Sequence, residues 1–265
     1  MRTVVAAAGL VALLAGCATP ARPSFPSEPT PGTMFYGFAK PNAGGPFPAV
    51  VLLHTCGGIR PHVHQWSSRL VAAGYATLIV DSFTWRGAKE CSIPHYFPAS
   101  VDDVTGDAFA ALGHLRGRSD VDPERIGVMG FSWGANATLR TSSARYRREA
   151  PGGGFAAAIA FYPMCVSPRS DWPAAAQERA YNLFDDAAAP TLVLIGDADD
   201  DTPNVAANCA TRVGALRSAG RPVDIILYPG AGHVFDSRDS PNTRKSAADM
   251  LAFFNRHLGG RERAR

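Results

Sequence analysis

One serine in this chain stands between two glycines, in Gly130-Phe131-Ser132-Trp133-Gly134, after an apolar run and ahead of a helix-like segment. Glycine carries no Cβ, so the chain can turn sharply there from strand into helix and lift the hydroxyl to the tip. Amides at the start of that helix favour negative charge developing beside it. The chemistry open to such a serine is attack on a carbonyl carbon, provided that a base takes its proton. His233, in "YPGAGHVFD" after the last apolar run, is the candidate base, because a neutral imidazole accepts a proton near neutral pH. The other histidines fit less well. His62 and His64 are two apart and would not share a helical face; His95, His114 and His257 lie outside any strand end; His54 ends a strand beside a different feature. An acid is then needed to orient the imidazole. The segment "LIGDADDDTP" offers Asp197, Asp199, Asp200 and Asp201 beyond Gly196, and spacing does not choose among them.

These groups need elements to carry them. Continuous apolar runs at 49–54, 75–81, 125–131, 155–163, 191–197 and 223–229 read as strands buried on both faces. An early edge strand is expected at 33–41. Helical spacing is expected over 62–74, 101–116, 133–144, 204–219 and 243–258; on the second of these, Val104, Ala108, Ala111, Leu112 and Leu115 form the inner face. Strand–helix alternation implies a mostly parallel sheet with helices on both faces. Ligands bind beyond the carboxyl ends of such strands, and Ser132, His233 and the acidic run all fall there. The order serine, acid, histidine is the one expected of an α/β-hydrolase.

Length and composition narrow the rest. The chain has 265 residues, 46% hydrophobic and 18% charged, with a net charge of +3. That is enough for one large core. No basic stripe with interleaved aromatics is present, so nucleic acid is not an expected partner. Residues 1–16 read as a secretory signal: a basic start at Arg2, an apolar run, then small residues. Leu14-Ala15-Gly16-Cys17 resembles a bacterial lipobox. That resemblance implies cleavage before Cys17, a lipid anchor on its thiol and, with Ala18 following, placement at the outer membrane. Residues 17–33 are proline-rich and read as a tether, leaving 34–260 as the folded domain. Four cysteines remain. Export allows two disulfides, and Cys56–Cys91 with Cys165–Cys209 is the favoured pairing of three, because each pair falls on loops placed at the same end of the sheet. No CxxC spacing suggests a metal, and no cofactor is expected.

The sequence resembles the dienelactone hydrolase family of α/β-hydrolases from about Pro48 to Leu258, through "VVLLHTCGG", "VDSFTWRG", "GFSWGA", "AFYP", "IGDADDDTP" and "PGAGHVF". The resemblance selects Asp199 as the acid, from a Gly-x-x-Asp pattern. It places the oxyanion donors at the amides of Trp133 and Cys56, the latter in "HTCGG". It makes Arg86 a candidate for holding a substrate carboxylate, one residue off the family spacing. Phe83, Trp85, Trp133 and Tyr162 are expected around an apolar pocket. The family's namesakes use a cysteine nucleophile, whereas this chain has Ser132, which places it with the serine-bearing branch. Residues 164–190 are too few for a full lid domain, so the expected site is open or shallow. The expected activity is hydrolysis of small carboxylic esters or lactones. The alternatives are a silent envelope scaffold on the same fold, or a peptidase or amidase using the same three groups. The oligomeric state is not legible.

Overall fold

Strand β2 (Phe47–Leu53) shows why the sheet forms. Residues Ala49 to Leu53 are all buried, and they alternate: Val50 and Leu52 enter one hydrophobic cluster, while Ala49, Val51 and Leu53 enter another. Successive side chains on a strand point to opposite faces, so an unbroken apolar run requires core on both sides. Strands β3 (Ala76–Val80), β5 (Ala157–Phe161) and β6 (Thr191–Gly196) are buried along their whole length for the same reason. The computed structural model describes residues 35–42, 44–92, 97–165, 184–201 and 205–259. The expected leader 1–16, Cys17, the tether, His95 and most of the 164–190 stretch lie outside the described residues.

With β1 (Phe35–Ala39), β4 (Val121–Phe131) and β7 (Val223–Tyr228), the described strands form one seven-stranded sheet ordered β1-β3-β2-β4-β5-β6-β7. Only the edge pair β1–β3 is antiparallel. The helices are α1 (Pro61–Ala72), α2 (Val101–Arg116), α3 (Trp133–Ser142), the short α4 (Ala144–Arg147), α5 (Val205–Ser218) and α6 (Pro241–Leu258). Trp66 and Leu70 of α1, Val213 of α5 and Phe254 of α6 join the first cluster; Val104, Ala108, Leu112 and Leu115 of α2 join the second. Helix α2 starts on a reciprocal cap, with the Ser100 side chain accepting from the Asp103 amide and the Asp103 carboxylate accepting from the Ser100 amide. Helix α3 is buried throughout and contributes to both clusters, which fixes the element that follows Ser132.

Candidate active site

Ser132 sits between β4 and α3 with φ +50° and ψ −110°, a conformation that non-glycine residues reach only at a cost of about 1–3 kcal/mol. The neighbouring glycines explain how the turn closes. A Cβ on Gly130 would lie 2.2 Å from the Gly134 carbonyl oxygen, and one on Gly134 would lie 2.5 Å from that of Leu53. The Gly134 amide donates to the His54 carbonyl at 3.1 Å, and the Ser132 amide to that of Phe161 at 3.0 Å. The serine is therefore tied to the carboxyl ends of β2 and β5 as well as β4.

The three groups named from sequence meet. His233 Nε2 lies 3.1 Å from Ser132 Oγ, and its Nδ1 lies 2.9 and 3.1 Å from the two Asp199 carboxylate oxygens. Asp199 is buried and His233 mostly so. The four acids after Gly196 take different places. Asp197 accepts from the Gly230 amide at 2.7 Å, so it holds the histidine loop and does not contact the ring. Asp199 faces Nδ1. Asp201 stands 3.9 Å from Nε2, and Asp200 is exposed. Gly196 makes this possible, since a Cβ there would lie 1.9 Å from the Ala231 carbonyl oxygen. Burial pulls the His233 pKa down, but the hydrogen bond and charge of Asp199, helped by Asp201 and Asp236, outweigh it and hold the imidazole above its ordinary value.

Behind His233, the ring of Tyr162 meets the imidazole edge to face at 4.9 Å. Its hydroxyl donates to Asp236 at 2.7 Å, and Trp66 Nε1 donates to the other oxygen of the same buried carboxylate at 2.6 Å. The sequence reading passed over Asp236, although it stands three residues after the histidine.

The 54–58 turn is held from several sides. Cys56 is disulfide-bonded to Cys91, and the Cys91 amide donates to the Cys56 carbonyl at 2.7 Å. The second pair is Cys165–Cys209, so both pairings expected from sequence are present. His54 is buried; its Nδ1 donates to the Thr55 carbonyl at 2.7 Å and its Nε2 accepts from the Ser82 amide at 3.1 Å. It therefore joins the loops after β2 and β3 as a neutral ring, and burial lowers its pKa. Cys56 has no free thiol to compete with Ser132.

Several expected pocket residues are elsewhere. The Arg86 guanidinium grips Asp107 with two hydrogen bonds of 2.7 and 3.0 Å and also donates to the Ser82 carbonyl at 2.6 Å. Its charge is thus committed inside the protein and not offered to a substrate carboxylate. Phe83 is fully buried against His54, and Tyr162 is buried in the first cluster, so neither lines an open pocket. The Trp133 indole stacks on Phe97 and donates to the Ala99 carbonyl at 3.0 Å, so its side chain packs inward. Trp85 is exposed and lies against the Arg86 guanidinium. A groove of about 390 Å³ is lined in part by Gly57, Arg60, Asp81, Lys89 and Glu90. Among the described residues no cluster of His, Cys, Asp and Glu is placed to hold a metal.

The sheet order and the helices around it are those of the α/β-hydrolase fold, the class of protein that this site and scaffold define. Residues 35–258 match the Dienelactone hydrolase family, and the chain belongs to that family of hydrolases. A Methylorubrum extorquens protein provisionally named a carboxymethylenebutenolidase is 29% identical over 217 residues, covering 79% of this chain and 70% of its own. A crystal structure provisionally assigned as a dienelactone hydrolase from Klebsiella pneumoniae is 25% identical with a TM-score of 0.62, covering 82% of this chain and 90% of its own. A thermophilic esterase from Thermogutta terrifontis, solved with propionate bound, shares the fold at a TM-score of 0.59 and 19% identity, covering 84% of this chain and 88% of its own.

Proposed function

We propose that this protein is a serine hydrolase that cleaves carboxylic esters or lactones through an acyl-enzyme. The observation that carries the reading is the hydrogen-bonded line from Asp199 through His233 to Ser132. Ser132 Oγ attacks the carbonyl carbon while His233 Nε2 takes its proton. Asp199 keeps the other ring proton on Nδ1 and stabilises the imidazolium. The amides of Cys56 and Trp133 receive the oxyanion; one such donor is worth roughly 3–4 kcal/mol where it has been removed from other enzymes. Collapse breaks the ester C–O bond, and the imidazolium protonates the departing alkoxide. Water, deprotonated by the same ring, then attacks the acyl-serine and releases the acid. A complete relay argues against a silent scaffold. The lactone chemistry in the name of the Methylorubrum relative supports lactones beside open-chain esters.

The same reading places the domain in the bacterial envelope. Residues 1–16 direct export, Cys17 carries the lipid, and the outer membrane is favoured. Two disulfides support an oxidising compartment. The test is labelling with an organophosphonate, followed by turnover of a small aryl acetate. Wild type is expected to label at Ser132 and to turn over. Ser132→Ala should lose the label and about 10³-fold or more of the rate. A folded wild type that neither labels nor turns over would refute the assignment.

A further inference from the structure

The acidic run leaves one carboxylate at the reacting face that the relay does not use. Asp201 Oδ1 lies 3.9 Å from His233 Nε2, the nitrogen that faces Ser132 Oγ at 3.1 Å. Those two legs put a carboxylate oxygen within about 7 Å of the attacking hydroxyl. The Asp201 amide donates to Asp199 Oδ1 at 3.1 Å, which fixes the backbone there, and the side chain is 40% exposed, at the edge of the site. Within 4 Å its charge meets the His233 ring. Arg86 is spent on Asp107 and the Ser82 carbonyl. Arg60 is paired with Glu90, and Lys89 lines a groove that Asp81 and Glu90 also line.

We propose that Asp201 gives the site a charge preference: it accepts uncharged or cationic esters and disfavours those with a carboxylate near the scissile bond. The proposal rests on the esterase reading above. An anionic acyl chain meets a like charge on entry and keeps it through the transition state, whereas the oxyanion's own charge is common to every ester. A substrate carboxylate that came to about 7 Å from Asp201 would change the rate by about five- to tenfold at an effective dielectric constant of about 40.

The test compares kcat/KM at low ionic strength for three 4-nitrophenyl esters of similar length: the neutral butyrate, the anionic hemisuccinate and the cationic 4-(trimethylammonio)butyrate. Wild type is expected to prefer the neutral and cationic esters. Asp201→Asn should narrow the neutral-to-anionic ratio by about five- to tenfold, and added salt should narrow it more in wild type than in the variant. Asp200→Asn, which removes an exposed neighbour, should leave the ratio nearly as in wild type. Wild-type turnover of the hemisuccinate as fast as the butyrate, a ratio unmoved by Asp201→Asn, or an equal change in Asp200→Asn would overturn the proposal while leaving the esterase reading intact. No turnover of any ester, with no phosphonate label on Ser132, would sink both.

Discussion

Replacing Gly134 by alanine tests whether the serine turn is as crowded as its geometry requires. The added Cβ would meet the Leu53 carbonyl oxygen at 2.5 Å, the His54 carbonyl oxygen at 2.6 Å and the Leu53 carbonyl carbon at 2.7 Å. Ordinary contact begins near 3.4 Å, so the shortfall is about 0.9 Å. All three obstacles are backbone, and no side chain can swing away. Helix α3 must therefore move off the end of β2, which stretches the Gly134–His54 hydrogen bond. Overpacking costs about 1–3 kcal/mol and the hydrogen bond about 1 kcal/mol, offset by about 1 kcal/mol from alanine's better helix propensity, leaving about 1–3 kcal/mol net. For a domain of this size that lowers Tm by about 2–12 °C. The displacement also separates the two amides proposed to receive the oxyanion, and a misplacement near 1 Å can cost about 10²-fold in rate. Gly214→Ala in α5 is the control: nothing lies within 4 Å of the added carbon. It should raise stability by up to about 1 kcal/mol and leave turnover alone. Thermal melts and aryl acetate kinetics on both variants decide the matter. A Gly134→Ala protein within about 1 °C of wild type and with full activity would refute the crowding argument.

Stability should fall as pH drops below the ordinary histidine value near 6.5. Burial lowers the folded pKa of His54, so the unfolded chain takes up the proton first; the stabilisation is complete above that value and is lost on acidification. His62, His114 and His257 act in the same direction, while the raised pKa of His233 opposes them with stability present at low pH and lost on the way up. Urea midpoints between pH 8 and 5 should show the fall, and His54→Asn should flatten it; an unchanged slope would count against a neutral His54. Cys91→Ser opens a ring closed across 35 residues, with an expected loss of about 3–4 kcal/mol. Because Cys56 is a proposed oxyanion donor, kcat is expected to drop more than KM rises. Reductant should bring wild type toward the variant, and an unaltered kcat would remove the disulfide from any role in positioning that turn.

The sheet was legible because its central strands are apolar on both faces, a pattern in which run and strand nearly coincide. The runs at 49–54 and 191–197 became Phe47–Leu53 and Thr191–Gly196. Boundaries shifted where side chains did not decide them. Strand β4 begins at Val121, four residues ahead of the expected start, although Asp122, Pro123 and Glu124 carry no apolar signal; the backbone there is held by pairing Phe47 with Val121. Within the site, serine and histidine were legible from glycine placement. Spacing left the acid open among four close carboxylates, which differ only in what the folded loop presents to each, and the family resemblance was needed to choose Asp199. Asp197 finds the Gly230 amide and Asp199 finds the imidazole, a difference of backbone direction.

Arg86 shows what a family position conceals and where the missing signal lay. Its partner Asp107 is 21 residues away, beyond any local pattern. Yet Asp107 falls at helical spacing between Val104 and Ala111, on the inner face of α2, and a carboxylate placed there must either find a cation or stay protonated. Burial does push its pKa up, and the Arg86 hydrogen bonds push back. Asp236 follows the same rule from another direction, buried where it can accept from Tyr162 and Trp66 together. The two buried carboxylates support loops at the carboxyl ends of β3 and β5: one fixes the 81–87 loop through Arg86, the other braces Tyr162, held at φ +41°, against His233. A polar residue on the apolar face of a helix or loop is thus the sequence mark of a loop anchor. In this fold the anchors decide which charged groups remain for a substrate to meet.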